Sequence, residues 1–355
     1  MHSSSTHSST QNGGSQNGYN GVSTKPHRYW VAGATGFLGT NLVRVLRGAG
    51  QHVVAVSRSG GEVDGIAVES VDVLDADAVC RSAQGMDGAF LVTGKVARDR
   101  DAAEELHRLH VIGTRNALEG LRRAGVRRVV VASTSGTLAV GTDPERVYDE
   151  TAEAPIEHIA TWPYYRTKLY AEREALAFND PPKFEVVIVN PSLLLGPGDV
   201  RESSTGDVRR FLSRSVPAIP PGGVAFVDVR DAAEGMWLAF QKGRAGERYL
   251  LNAKNLTLRA FFERLGRISG VKVPPLVMPR QRAISLGLGR LYLEAVKAIG
   301  GEPPIDPVSL EMSQYYWYCD STKAERELGF SARDPGETLR ETVQDLIDRR
   351  VVFIS

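Results

Sequence analysis

Cysteine is scarce, with Cys80 and Cys319 the only two in 355 residues. They lie far apart and neither falls in a Cys-x-x-Cys spacing, so a disulfide framework and a cysteine-built metal site are both unexpected. A reducing, cytoplasmic setting is the expectation. A surplus of charge is lacking too. The 43 basic and 42 acidic residues leave a net charge of +1, which supplies no basic field for nucleic acid. Long apolar runs are absent as well. The least polar stretch of the C-terminal half, Ala283 to Gly300, is broken by Arg290, Glu294 and Lys297, whereas a membrane span needs about 20 apolar residues. It reads as an amphipathic helix, and no membrane span is expected. What remains is a chain long enough for a well-buried core.

Residues 1–27 are mostly Ser, Thr, Asn, Gly, Gln and His, a composition that buries too little apolar surface to offset ordering entropy. A disordered tail is expected there. From Arg28 the pattern changes to short apolar runs, rich in β-branched residues: Tyr29–Ala32, Val53–Val56, Ile66–Val71, Ala89–Val92, Val129–Ala132 and Val186–Val189. Such runs suit parallel strands covered on both faces. Between the first two, Leu38, Leu42, Val45 and Leu46 form one helical stripe that Gly48 and Gly50 end. The alternation predicts an α/β fold, a Rossmann-type doubly wound parallel sheet over 28–190, with strand and helix returning at about 224–256. Residues 191–223 and 257–355, proline-punctuated and then mainly helical, are expected to form a smaller substrate-binding lobe.

The segment from Trp30 to Gly39 places Gly33, Gly36 and Gly39 at spacing three and three between the first strand and the first helix. The first glycine permits a tight turn, the second lets backbone N–H groups approach a pyrophosphate, and the third allows helix and strand to pack closely. Gly33, Thr35, Gly36, Phe37, Leu38 and Gly39 are thus candidate dinucleotide contacts. NAD-binding sites of this kind usually carry an acidic residue about 20 positions on, but here the sequence reads Val56-Ser57-Arg58-Ser59. Arg58 suits a 2′-phosphate, so NADP is favoured over NAD. Asp72 and Val73, after the third strand, can meet the adenine edge; capping of the next helix by Asp72 and Asp75 is an equal reading. Thr93 and Gly94 close the fourth strand and leave room for ribose and phosphates.

Tyr164 and Lys168 stand at i and i+4, one helical turn apart on one face. An ammonium beside a phenol favours phenolate, so the tyrosine is expected to titrate below its ordinary range and to exchange a proton with a carbonyl or alcohol. That spacing alone is common on helix surfaces. Its weight comes from a hydroxyl cluster, Ser133-Thr134-Ser135, at the C-terminal end of the run Val129–Ala132, where ligands bind in open parallel sheets. A turn or cap role is the rival reading of that cluster.

Together these residues resemble the extended short-chain dehydrogenase/reductase superfamily, within the NAD-dependent epimerase/dehydratase family. The segment Val189-Asn190-Pro191-Ser192-Leu193-Leu194-Leu195-Gly196-Pro197-Gly198-Asp199, and later Phe226-Val227-Asp228-Val229-Arg230-Asp231, look like the dihydroflavonol 4-reductase-like and hopanoid-associated epimerase branch. The resemblance implies a Ser-Tyr-Lys site of Ser135, Tyr164 and Lys168, with Tyr164 and Lys168 also touching the cofactor, and Pro191 and Ser192 lining the nicotinamide. It also implies a homodimer through helices near Gly113 and Tyr170. One departure is His110, where many members carry asparagine before the Val-x-Gly-Thr segment; a packed or partly exposed helix residue is expected there rather than a base.

Two functions follow. The favoured one is NADP-dependent interconversion of a carbonyl and an alcohol. The alternative is an NAD-dependent nucleotide-sugar epimerase or dehydratase with retained cofactor. Phe211, Trp237, Tyr292 and the run Tyr315-Tyr316-Trp317-Tyr318 are candidates to line an apolar pocket, although such aromatics more often pack the core. A hydrophobic or polyketide-like carbonyl compound is the expected substrate.

Overall fold

The computed structural model describes residues 1–2 and 26–353; the tail expected over 1–27 falls almost wholly outside the described residues. Eleven strands occur among them: β1 (Arg28–Ala32), β2 (His52–Ser57), β3 (Gly61–Val63), β4 (Ile66–Ser70), β5 (Gly88–Leu91), β6 (Arg128–Ala132), β7 (Glu185–Pro191), β8 (Leu193–Leu195), β9 (Gly223–Asp228), β10 (Arg248–Leu251) and β11 (Lys254–Thr257). The main sheet runs β10-β7-β6-β5-β1-β2-β4-β3. Every pairing in it is parallel except the edge pair β3/β4. The strand order reverses between β1 and β5, and an open α/β sheet binds ligands at such a switch point. The doubly wound α/β expectation therefore holds.

Each apolar run serves two cores because successive strand residues face opposite sides. Trp30, Leu91, Val129, Val131 and Ile188 face one side with Val79, Ala117 and Leu121, while Val31, Phe90, Val130 and Val187 face the other with Leu38, Leu42, Leu46 and Met236. A second, three-stranded sheet, β11-β9-β8, lies outside the main one. It shares an apolar cluster with Phe211, Phe261, Leu265, Leu339 and Val343 from helices Gly206–Leu212, Leu258–Ser269 and Pro335–Asp348. The amphipathic helix expected over 283–300 is observed as Arg282–Ala298. No described helix is long and apolar enough to cross a membrane.

Candidate active site

The glycine turn is shaped by contacts that leave no room for a side chain. Gly33 has φ +78°, and a Cβ on it would stand 2.8 Å from the Val92 carbonyl oxygen at the end of β5. A Cβ on Gly39 would stand 2.1 Å from the Gly33 carbonyl oxygen. The turn is tied down by the Gly33 and Ala34 N–H groups donating to the Val56 oxygen at 3.0 and 3.2 Å. Gly36 caps helix Phe37–Gly48 without any side-chain hydrogen bond, so the first N–H groups of that helix face the switch point without a side-chain acceptor. A backbone cradle of this kind at a helix N-terminus fits a pyrophosphate.

At the end of β2 the Arg58 side chain is exposed and makes no ion pair with a described residue, while Ser57 is buried and donates to the Gly60 oxygen at 3.0 Å. Of the two acidic residues beyond β4, Asp75 caps helix Ala76–Ser82, whereas Asp72 accepts from the Leu74 N–H at 2.9 Å within the preceding turn. Val73 is buried against the position of Gly113. Thr93 and Gly94 follow β5 in the same crevice. A Cβ on Gly94 would lie 3.7 Å from His110 Nε2 and 3.8 Å from Lys168 Nζ, which brings the fourth-strand end, His110 and Lys168 together around one small space.

Tyr164 and Lys168 sit on helix Pro163–Ala177, which Pro163 opens at its first turn. Lys168 is buried and its Nζ donates to the Ala132 oxygen at the end of β6 at 2.8 Å. Burial lowers its pKa to about 8, against the opposing effect of Glu172. The half-buried Tyr164 phenol goes the other way. Burial first, and Tyr165 second, hold it above its ordinary range, so the lowering expected from Lys168 is not found: the ammonium is spent on a backbone carbonyl, and desolvation of the phenolate prevails.

Because Lys168 binds its proton more weakly folded than unfolded, the unfolded chain carries the extra proton between about pH 8 and the ordinary lysine value. Stability contributed by this position therefore rises with pH across that window. Denaturant unfolding at pH 7 and pH 10 is expected to show the wild type gaining roughly 2 kcal/mol relative to Lys168→Met. An equal pH response in the two proteins would contradict the burial effect.

His110 is buried in a π-helical turn, Arg108–Ile112. Its Nε2 accepts from the Lys95 N–H at 3.1 Å, which leaves Nδ1 as the donor to Thr167 Oγ1 at 2.9 Å, and Thr167 passes its own hydrogen to the Pro163 oxygen at 2.8 Å. Burial, then Lys168, drives its pKa down to about 3. His110 is thus a neutral packing and hydrogen-bonding residue, as expected, and its ring supports that of Tyr164 with centroids 5.7 Å apart.

The hydroxyl cluster divides. Ser135 is buried in the short turn Ser135–Thr137, which packs on the Tyr164 helix. Ser133 and Thr137 instead donate to Glu172 Oε1, as does Asn190 Nδ2 at 2.7 Å. Pro191 ends β7 and Ser192 follows it, both buried, with Ser192 Oγ 3.0 Å from Asn252 Oδ1.

Beside Tyr164 stands an aromatic wall. Tyr165 meets Tyr164 edge-on at 5.0 Å, Trp317 lies 4.8 Å from Tyr165, and Trp162 stacks on Trp317 at 5.6 Å and meets Tyr315 at 5.0 Å. A Cβ on Gly136 would collide with Tyr165 at 2.3 Å and touch Trp317 at 3.0 Å. Of the aromatics expected to line a pocket, only Tyr315 and Trp317 belong to this wall. Phe211 packs on Phe262, Trp237 stacks on Phe240 in the core, Tyr316 and Tyr318 pair with each other, and Tyr292 is exposed. Across the rim, Arg98 reaches from the loop after β5 to Ser309 Oγ at 2.9 Å and to Asp207 at 3.3 Å.

Comparison with known proteins agrees with this geometry. The model of the NAD-dependent epimerase/dehydratase family matches residues 29–251. The chain belongs to that family. A protein of Synechocystis sp. provisionally named dihydroflavonol 4-reductase is 32% identical over 90% of this chain and 93% of its own length. Sterol demethylase protein B of Methylococcus capsulatus is 34% identical over 84% and 92% respectively. Among solved structures, that of gox2253 superposes with a TM-score of 0.77 at 27% identity, covering 92% of this chain and 99% of its own. This epimerase/dehydratase family member is accordingly an NAD(P)-dependent oxidoreductase, and the matched span holds the glycine turn, Tyr164 and Lys168 but ends before the helical C-terminal elements.

Proposed function

We propose that the protein is an NADP-dependent reductase of an apolar, ring-bearing ketone or aldehyde, and the corresponding alcohol dehydrogenase in reverse. One observation carries the reading: Tyr164 is held between Lys168, one turn along its helix, and a wall of Tyr165, Trp317 and Trp162. The wall suits a flat apolar substrate better than a hydrated sugar.

The cradle of Gly33, Thr35, Gly36, Phe37, Leu38 and Gly39 would hold the pyrophosphate, with Arg58 on the 2′-phosphate. Asp72 and Val73 would border the adenine, Thr93 and Gly94 the ribose and phosphates, and Pro191 and Ser192 the nicotinamide. When bound, the dinucleotide supplies hydride to the carbonyl carbon. Tyr164, protonated at neutral pH, donates its phenolic proton to the carbonyl oxygen as negative charge develops there. Ser135 orients that oxygen through its hydroxyl. Lys168, anchored on the Ala132 oxygen, would hold the ribose hydroxyls with its remaining N–H groups. The three-stranded sheet and the helices outside the main sheet serve as the substrate-binding part.

Cofactor choice is tested at Arg58. Arg58→Ala is expected to lower kcat/KM with NADPH by about 10–100-fold, the worth of one or two charged hydrogen bonds, with little change for NADH. Wild-type preference for NADH, unaltered by the substitution, would refute the assignment. A panel of aromatic and alicyclic carbonyls with NADPH oxidation as readout tests the reaction. Stoichiometric retained NAD with no NADPH consumption across the panel would transfer the protein to the epimerase or dehydratase class.

A further inference from the structure

The wall beside Tyr164 is apolar across its ring faces, but its edge carries hydrogen-bond donors that lack an acceptor. Tyr165 is fixed on two sides, edge-on to Tyr164 at 5.0 Å and against Trp317 at 4.8 Å, yet its hydroxyl makes no hydrogen bond to a described residue. The residue is half-buried rather than sealed in the core. Burial pushes its phenol up to about 12, with Arg98 pulling it down and Asp207 pushing it up, so at neutral pH it is a donor standing beside both charges. A donor in a partly dry site is costly unless a ligand or water completes it.

Arg98 is the second such donor. Its guanidinium spends one N–H on Ser309 Oγ at 2.9 Å and another on Asp207 at 3.3 Å, and the remaining N–H groups have no acceptor among the described residues. The side chain is 25% exposed, so those groups stay open to a ligand. Ser309 stands on helix Pro307–Met312, where Val308 and Met312 pack into one cluster with Trp162, Tyr315 and Tyr165, which places the guanidinium at the edge of the wall. Holding the loop to this helix does not require Arg98, because Arg100 of the same segment already pairs with Glu311 at 3.5 Å. The charge around Arg98 is balanced: Asp207 pairs with both Arg98 and Arg210, and Asp306 accepts from Ser309. No net positive field is left for a carboxylate or phosphate. A neutral oxygen can accept from the free donors without displacing Asp207.

We infer that the Arg98 guanidinium and the Tyr165 hydroxyl together bind a second, uncharged oxygen of the substrate, a hydroxyl or carbonyl on the ring system that lies against the wall. The inference rests on the reductase reading above and narrows its substrate class from an apolar ring ketone to an oxygenated one. Tyr164 meets the reacting carbonyl and its neighbour Tyr165 reads the other oxygen, so one helical turn sets both polar points of the substrate. Such a site discriminates strongly, because a substrate lacking the second oxygen expels water from both donors and leaves them unpaired.

The test uses matched bicyclic aryl ketones of the tetralone type: the bare ketone, the set bearing one hydroxyl at each ring position in turn, and the same set with a carboxylate in its place. Binding to the full chain is followed by quenching of tryptophan fluorescence, to which Trp162 and Trp317 contribute, and turnover by NADPH oxidation. With wild type, the best-placed hydroxyl is expected to raise both affinity and kcat/KM by about tenfold or more over the bare ketone, and the carboxylate to give no gain. Tyr165→Phe, which keeps every ring contact, and Arg98→Met are each expected to cut that ratio by at least about threefold, with Tm and NADPH affinity measured alongside to separate lost recognition from lost folding. A wild-type ratio below about twofold at every position, or a ratio that survives both substitutions, overturns the inference; turnover of the bare ketone in that case leaves the reductase reading standing. Preference for the carboxylate overturns it as well. A binding preference that both substitutions reduce, with no ketone turned over, supports the second-oxygen site and refutes the reductase reading instead.

Discussion

Tyr164→Phe is expected to reduce kcat for carbonyl reduction by about 10²–10⁴-fold, the usual worth of a positioned general acid, with KM changed little. The substitution is unusually clean. The ring is held edge-on by His110 and Tyr165, contacts that phenylalanine keeps, and the Tyr164 hydroxyl makes no hydrogen bond to another described residue. Stability and dinucleotide binding should therefore remain at wild-type levels, measured by Tm and by fluorescence titration with NADPH. The phenol is pushed above its ordinary range by burial, so the reductive rate should show no loss at neutral pH from its ionisation. Turnover by the phenylalanine variant within about fivefold of wild type would remove Tyr164 from the proton-transfer role and leave the aromatic wall as a binding surface only.

Much of the fold was legible because buried parallel strands announce themselves as apolar, β-branched runs; all six predicted runs coincide with strands to within one or two residues, although β4, interrupted by Glu69 and Ser70, is mostly exposed. The antiparallel hairpin of β3 and β4 was missed, although a signal was present. Asp64-Gly65 joins them with φ of +49° and +76°, and Asp-Gly flanked by alternating residues is a strong short-range hairpin cue. The three-stranded sheet had no such cue. Its strands are short and separated by long connections, so pairing partners cannot be read from local pattern. In the site, Gly33, Gly39, Tyr164 and Lys168 could be found because each depends on local spacing. Trp317 was named as a candidate only as part of an aromatic run, while Trp162, Tyr165 and Arg98 could not be found, since their meaning comes from contacts between segments far apart in the chain. Glu172 lies between these cases. It follows Lys168 by four residues, which reads as an ordinary surface ion pair on a helix, yet it is buried.

Glu172 carries the second large effect. Its Oε1 accepts from Ser133, from Thr137 at 2.7 Å and from Asn190 Nδ2 at 2.7 Å, and its Oε2 lies 3.1 Å from Arg248 Nε. One carboxylate thus ties the end of β6 and the end of the Ser135–Thr137 turn to β7, to β10 and to the helix bearing Lys168. Glu172→Leu removes the acceptor shared by three buried donors, strands Ser133, leaves Thr137 and Asn190 only their bonds near Thr134, and removes the partner of a guanidinium that is 24% exposed and can partly turn to water. A loss of about 3 kcal/mol is expected, seen as a Tm lower by roughly 5–10 °C. Glu172→Gln separates scaffold from electrostatics. The amide oxygen can still accept from the hydroxyls, so most of the fold is retained, but the negative charge that opposes the desolvation of Lys168 is gone. The pKa of Lys168 should then fall below about 8, and the alkaline limb of kcat/KM should move to lower pH by a fraction of a unit to one unit, about 0.5–1. A purely structural role for Glu172 would lower activity at every pH in proportion and leave the inflection where it was. A displaced inflection in Glu172→Gln, absent from an equally destabilised core variant such as Val131→Ala, identifies Glu172 as the residue that keeps Lys168 charged in a buried site.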